Sequence, residues 1–349
     1  MLNRRLRQII AVLAFAAYWF LSGIASSHAL VARDRVETRD WRQFPAIVEI
    51  DADATVVAVG DVHGDYERLA HLLKKAGLID EENADPSDLK WRGGKTILIC
   101  TGDLIDKGKH SLDVIQCFRT LERKAADEGG KTIVTMGNHE AEFLANPDDD
   151  EKAEKFLAEL EKQDLDPADV ATGKDKKGIG AFLRRLPFAA RVNDWFFAHA
   201  CGVDGRTLRT LKAALADSVD EEGFGADILL AKRGLLEARL KPIPWWERKG
   251  DKPKESESRL RGHADALGIK HFVMGHQPGK AHFSDDSRRK AGELIQKFDG
   301  LIFLIDVGMS SAIDKSPGAA LRIERHGRRQ TATVIRADGT EELIWKVTE

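Results

Sequence analysis

Three short apolar runs, each passing straight into a polar cluster opened by glycine, constrain this chain more than any other feature. Thr55-Val56-Val57-Ala58-Val59 leads into Gly60-Asp61-Val62-His63-Gly64-Asp65. Lys95–Cys100 leads into Gly102-Asp103-Leu104-Ile105-Asp106-Lys107-Gly108, and Lys131–Thr135 into Gly137-Asn138-His139-Glu140. Helical patterns over Tyr66–Ala76 and Ser111–Ala126 separate the runs, and this alternation builds a parallel sheet covered by helices, an α/β fold. Ligands of such sheets bind beyond the carboxyl ends of the strands. Three strand ends bearing Asp, His or Asn therefore predict one site on one edge, with glycine letting the backbone turn each side chain back over the sheet.

Residues 147–178 interrupt the alternation with a charged helical stretch, read as a solvated insertion or cap. Strand patterns return at Ala189–Val192 and at Trp195–Ala198, the second ending in His199. A mainly helical region runs to about Leu240, then the block Pro242-Ile243-Pro244-Trp245-Trp246-Glu247-Arg248 and a charged helix through His263. A strand over Lys270–Val273 leads to Gly275-His276. Leu301–Val307, Ala319–Arg325 and a hairpin turning at Asp338-Gly339 are expected to complete a second sheet.

Ahead of this body, Arg4, Arg5 and Arg7 precede an apolar run from Ile9 to about Ile24 and then Ser27-His28-Ala29. Residues 1–29 read as an export signal cleaved after Ala29, or as an uncleaved membrane anchor. The expected location is periplasmic or secreted, tethered to a membrane only if the leader stays. The formal charge of −3 becomes −6 without the three leader arginines, and such a balance does not draw a protein to nucleic acid or anionic lipid. Three cysteines are too few for a disulfide framework; at most one pair is expected. Cys100, inside an apolar strand, reads as a small core hydrophobe.

Singly, each polar residue at these strand ends has a plain explanation, since Asp caps helices and Asn makes turns. Jointly they do not. Asp61, His63, Asp103, Asn138, His199 and His276 each follow an apolar strand and supply three imidazoles, two carboxylates and an amide. That set suits two borderline divalent metals such as Mn, Fe, Zn or Co. Two cations about 3.5–4 Å apart need negative oxygens between them; Asp103 is the candidate bridge, with a solvent hydroxide as the second bridge and nucleophile. His139, next to a ligand, is the candidate acid for a leaving oxygen, with Asp106 holding its ring cationic. The alternative for His139 is a hydrogen-bonding role behind the ligands.

Gly-Asp-x-His-Gly at 60–64, Gly-Asp-x-x-Asp-Lys-Gly at 102–108, Gly-Asn-His-Glu at 137–140, His199 after a strand and Gly-His at 275–276 together resemble the calcineurin-like metallophosphoesterases. Gly-Asn-His-Glu and Asp106 look like the phosphoprotein phosphatase branch. The 242–248 block and Ile305-Asp306-Val307-Gly308-Met309-Ser310 are similar to Shewanella-like phosphatases. The resemblance, over about residues 54–311, implies a four-layer α/β/β/α sandwich of two mixed sheets within residues 30–349. It implies one metal on Asp61, His63 and Asp103, and a second on Asp103, Asn138, His199 and His276, with His139 and Asp106 catalytic.

The implied activity is phosphomonoester hydrolysis by direct attack of the bridging hydroxide, with phosphoprotein as first substrate class and a small phosphoester or dinucleotide as the alternative. A diester-cleaving enzyme and a non-catalytic phosphate-binding module are further alternatives; the second requires a lost ligand, and none is lost. Two departures bear on substrate grip. Lys107 stands where the branch usually has Arg, and a lysine neutralises a phosphate oxygen without clamping two. Arg248 is the candidate bidentate phosphate contact, the other reading being a solvated charge at a helix end. His199-Ala200-Cys201 replaces the usual His-Gly-Gly, keeping the ligand. Trp245 and Trp246 offer an aromatic wall to a substrate, or divide between core and surface.

Overall fold

The computed structural model describes residues 39–283, 285–314 and 316–348; the expected leader lies outside them. Among the described residues no helix is long and apolar enough to cross a membrane. The described residues form strands β1 Ile47–Ile50, β2 Val56–Val59, β3 Ile97–Cys100, β4 Lys131–Val134, β5 Ala189–Val192, β6 Trp195–Ala198, β7 His271–Met274, β8 Ala281–His282, β9 Arg288–Arg289, β10 Ile295–Lys297, β11 Ile302–Leu304, β12 Ala319–His326, β13 Arg329–Arg336 and β14 Glu341–Thr348. The four-residue strands β2, β3, β6 and β7 are buried at every position, as strands in the middle of a two-sided sheet must be.

Two six-stranded mixed sheets result, one in the order β1-β5-β6-β7-β11-β10 and the other β14-β13-β12-β2-β3-β4. In the second, β2, β3 and β4 pair in parallel with Val59, Cys100 and Val134 level, so the three polar clusters leave the sheet side by side. The first sheet pairs β6 in parallel with β7, setting Ala198 opposite Met274 and bringing the residues that follow each to one edge. The sheets face one another across aromatic side chains. Trp195 of β6 donates from Nε1 to Gln330 Oε1 of β13 at 3.1 Å, and its ring meets that of Trp345 of β14 edge-on, 5.7 Å between centroids.

The C-terminal strands depart from the expected arrangement. β12, β13 and β14 join the sheet of β2, with Ala320 opposite Val59, and only β11 of that group enters the other sheet. β2 would otherwise be an open edge with unpaired backbone groups, which β12 covers. Nothing local in 319–348 encodes that choice. β1 is a further difference: Ile47-Val48-Glu49-Ile50 is too short a pattern to stand out, yet pairs in parallel with β5.

The charged insertion is helical over Asp150–Lys162 and Pro167–Thr172, but it is not simply solvated. Ala153, Phe156, Glu159 and Leu160 are buried, with Phe156 edge-on to Phe143 at 4.9 Å. Glu159 within this stripe and the many charged residues around it hide it in the sequence. All three cysteines are free and buried, and burial pushes their thiols up.

Candidate metal centre

Asp61 and His63 leave β2, Asp103 leaves β3, Asn138 opens the helix Asn138–Ala145 after β4, His199 follows β6 and His276 follows β7. All six are buried. Their loops are held in unusual backbone conformations, with φ of +45° at His63, +51° at Asp103, +63° at Asp106, +62° at Lys107 and +67° at His276. Non-glycine residues there cost about 1–3 kcal/mol each and persist where surrounding structure over-determines them. Close approach explains two of the glycines: a Cβ on Gly137 would lie 2.1 Å from Asp103 Oδ1, and one on Gly275 2.3 Å from Asp61 Oδ1.

Asp103 is the hub. Its Oδ2 lies 3.4 Å from His63 Nε2 and 3.4 Å from His199 Nε2. His199 Nε2 is also 3.0 Å from Asn138 Oδ1 and 3.0 Å from His276 Nδ1. The opposite nitrogen of His199 faces Thr101 O at 2.9 Å, and that of His63 faces Ile105 O at 3.3 Å. Carbonyls there fix the tautomers with both Nε2 lone pairs toward Asp103. Asp61 closes the far side, accepting the His276 amide at 3.1 Å with Oδ1 3.8 Å from His199 Nδ1. Among the described residues no hydrogen bond or ion pair joins Asp61 to His63.

Lone pairs, a carboxylate and an amide oxygen converging in a buried space repel unless a cation lies among them. Ligand atoms about 2.1 Å from one ion stand about 3.0–3.4 Å apart in octahedral or tetrahedral geometry, matching the spacings found. Two sets of ligand atoms within 4.8 Å share Asp103: His63, Asp103 and His139, and Asp103, His199 and His276. The donor set thus fits divalent metal. The crowding of buried charge also shifts the titrating groups. Burial, then the neighbouring Asp306, pushes Asp61 well above the usual carboxylate range. Burial opposes a cationic His199, but Asp103 and Asp61 outweigh it and push that imidazole up to about 10.

His139 and Asp106 lie at the His63 side. The His139 amide donates to Asp103 Oδ1 at 3.1 Å, and its ring stands perpendicular to His63, 5.0 Å between centroids. Its Nδ1 is buried without a hydrogen bond, 3.6 Å from Asp106 Oδ2. Asp106 accepts the Lys155 amide on Oδ1 at 2.9 Å and pairs through Oδ2 with Lys107 Nζ at 2.9 Å. Burial raises Asp106, but Lys107 outweighs it and holds the carboxyl below its ordinary value. The insertion helix therefore positions this pair through Lys155.

Among the described residues no hydrogen bond or ion pair joins Arg248 to a metal ligand. It is exposed, and its amide donates to Asp251 Oδ2 at 2.8 Å. The arginine nearer the metal ligands is Arg239, bound at 3.0 Å to Glu237, whose Oε2 lies 3.7 Å from His276 Nε2. Trp245 and Trp246 are both buried, perpendicular to each other at 5.4 Å, so neither divides to the surface.

Several buried groups behind the ligands were not singled out by sequence. Glu140 accepts the amides of Gly137, Asp103, Leu104 and Ile105 at 2.7–3.1 Å, welding the second and third clusters together. Its signal was its place three residues after Gly137, where a helix N-terminus favours Glu. Asp306, fully buried with Oδ1 accepting the Gly308 amide at 2.8 Å, adds its negative charge beside Asp61 and follows β11 as the ligands follow their strands. Fully buried Arg289 donates to the carbonyls of Gln277, Asp306 and Glu293, tying the His276 loop to the Asp306 loop; an Arg in a charged stretch gives no such hint.

A sequence model described as calcineurin-like phosphoesterase matches residues 54–290. Shewanella-like protein phosphatase 1 of Plasmodium berghei is 25% identical over 280 residues, 73% of this chain and 67% of that protein. Shewanella-like protein phosphatase 2 of Arabidopsis thaliana is 39% identical over 85 residues, 24% of this chain but only 20% of that protein's length. In fold, the chain is similar to the cold-active protein-tyrosine phosphatase of a psychrophilic Shewanella, with TM-score 0.64 at 21% identity, covering 86% of this chain and 83% of that one.

Proposed function

The chain belongs to the calcineurin-like phosphoesterase family, and from that premise we propose that it is a metal-dependent phosphomonoesterase acting on phosphoproteins or phosphopeptides. The observation that carries this reading is the convergence of His63 and His199 on one oxygen of Asp103. Asp61, His63 and Asp103 would hold one divalent cation, and Asp103, Asn138, His199 and His276 a second, with Mn, Fe, Zn or Co all compatible with imidazole and carboxylate. When bound, such cations stabilise charge on phosphoryl oxygens and activate water at neutral pH. Similarity to proteins named protein phosphatases in Arabidopsis and Plasmodium supports the substrate class.

The chain's own groups supply the rest. His139, its amide anchored on Asp103, is placed beside the ligands to give a proton to the departing alkoxide or phenoxide. Burial holds the His139 ring below its ordinary value, and Asp103 and then Asp106, 3.6 Å from its Nδ1, work against that by favouring the cationic form that can donate. Lys107, partly exposed beside Asp106, presents a single positive charge to the incoming phosphate. Residues 1–29 support export, through three arginines ahead of an apolar run.

The test is hydrolysis of p-nitrophenyl phosphate against bis-p-nitrophenyl phosphate by protein stripped with chelator and resupplied with Mn²⁺. The expected result is metal-dependent preference for the monoester; preference for the diester overturns the assignment.

A further inference from the structure

The stretch between residues 229 and 247 packs directly onto the loops that carry His199 and His276. Ala200 donates its amide to Leu235 O at 3.1 Å, and Leu240 donates its amide to Gln277 Oε1 at 2.7 Å. Outside this junction lies a groove of about 510 Å³. Its rim carries four exposed cations, Lys232, Arg233, Arg239 and Lys241. Of the two acids that line it, Glu237 is bound to Arg239, and Glu247 is buried and accepts the Ser256 hydroxyl at 2.5 Å. Positive charge is therefore in excess at the opening. Pro242 and Ile243 form an apolar step, Ile243 being one of three exposed large hydrophobics among the described residues. Glu237, 3.7 Å from His276, marks where the groove meets the metal ligands.

We propose that this groove is the subsite for residues flanking the phosphorylated side chain of a peptide, and that it selects acidic flanks; the inference rests on the phosphatase reading above. A row of cations beside an apolar step complements an extended segment of Asp or Glu with an interspersed apolar residue. The aromatic lining argues against a nucleotide in the same place. Trp245 is buried, with Trp246, His263 and Phe272 at 5.4, 5.2 and 6.3 Å around its ring, so it offers no face for a base to stack on.

The test is fluorescence anisotropy of the full chain with two labelled peptides that carry the same non-hydrolysable phosphoserine phosphonate, one flanked by three Glu on each side, the other by three Lys. The Glu-flanked peptide is expected to bind about tenfold tighter at low salt, an advantage that shrinks as salt rises. In Lys232→Glu/Lys241→Glu the two affinities should converge, and the milder Lys232→Gln/Lys241→Gln should move them the same way. Equal affinities for wild type, or a preference that survives both variants, overturns the proposal. So does diadenosine tetraphosphate displacing the Glu-flanked probe better than the unlabelled peptide does. Turnover of p-nitrophenyl phosphate by the same preparation reports on the phosphatase reading separately. Peptide preference without turnover would sink catalysis and leave the groove, and turnover without preference the reverse.

Discussion

Asp103 Oδ2 stands 3.4 Å from His199 Nε2, although the two residues come from different sheets and are separated by almost a hundred positions. The same oxygen is 3.4 Å from His63 Nε2. One carboxylate oxygen shared by imidazoles from two directions is the feature from which the chemistry follows, and a variant can remove its charge without changing its size.

Asp103→Asn should lower metal content and phosphatase activity together, because an amide cannot neutralise cations on both sides. Elemental analysis of the dialysed variant beside p-nitrophenyl phosphate kinetics would check this. Full metal occupancy with undiminished activity would remove Asp103 as the bridge.

His139→Asn should keep its metals and lose roughly 10²–10⁴ in kcat. The loss should be smaller for phenols of low pKa than for alkyl phosphates, since good leaving groups need no proton. A leaving-group series measured on both proteins gives the answer, and equal losses across it would exclude His139 as the acid.

Glu140→Gln should destabilise the fold by about 1–3 kcal/mol. The amide offers one oxygen where the carboxylate accepts four backbone N–H groups, leaving buried donors unmet. Urea denaturation of the metal-free proteins measures the difference, and equal stability would mean that the Asp103 loop is held by other contacts.

Arg289→Met should weaken metal binding by about 10–100-fold, the usual effect of losing a group that orients ligands. The guanidinium spans the Gln277 and Asp306 carbonyls, one beside His276 and the other on the residue whose charge acts on Asp61. Calorimetric titration of Mn²⁺ into wild type and variant, with urea stability as control, separates this from general loosening. Unchanged affinity would make Arg289 a packing residue.

Much of this arrangement was legible in the amino-acid order because its signals are local. β2, β3 and β4 are short apolar runs, and the glycine-led clusters after them occur where a parallel sheet presents ligands. Partner choice was not legible. That β12 pairs with β2 depends on which edge is open once the sheet forms, and β1 finds β5 across some 140 residues. The groups behind the ligands divide likewise. Glu140 sat in a readable helix-start position, whereas Arg289 and the Lys155 amide acquire their roles only when distant loops meet. Arg248, chosen for its neighbours in sequence, is exposed, with its backbone amide on Asp251, because adjacency along a loop does not fix which residues reach a site.

The most direct measurement is anomalous diffraction from crystals grown with Mn²⁺. Two peaks about 3.5–4 Å apart, with Asp103 between them, His63 on one and His199 with His276 on the other, are the predicted result. A single peak away from Asp103, or none at full Mn²⁺ saturation, would contradict the account.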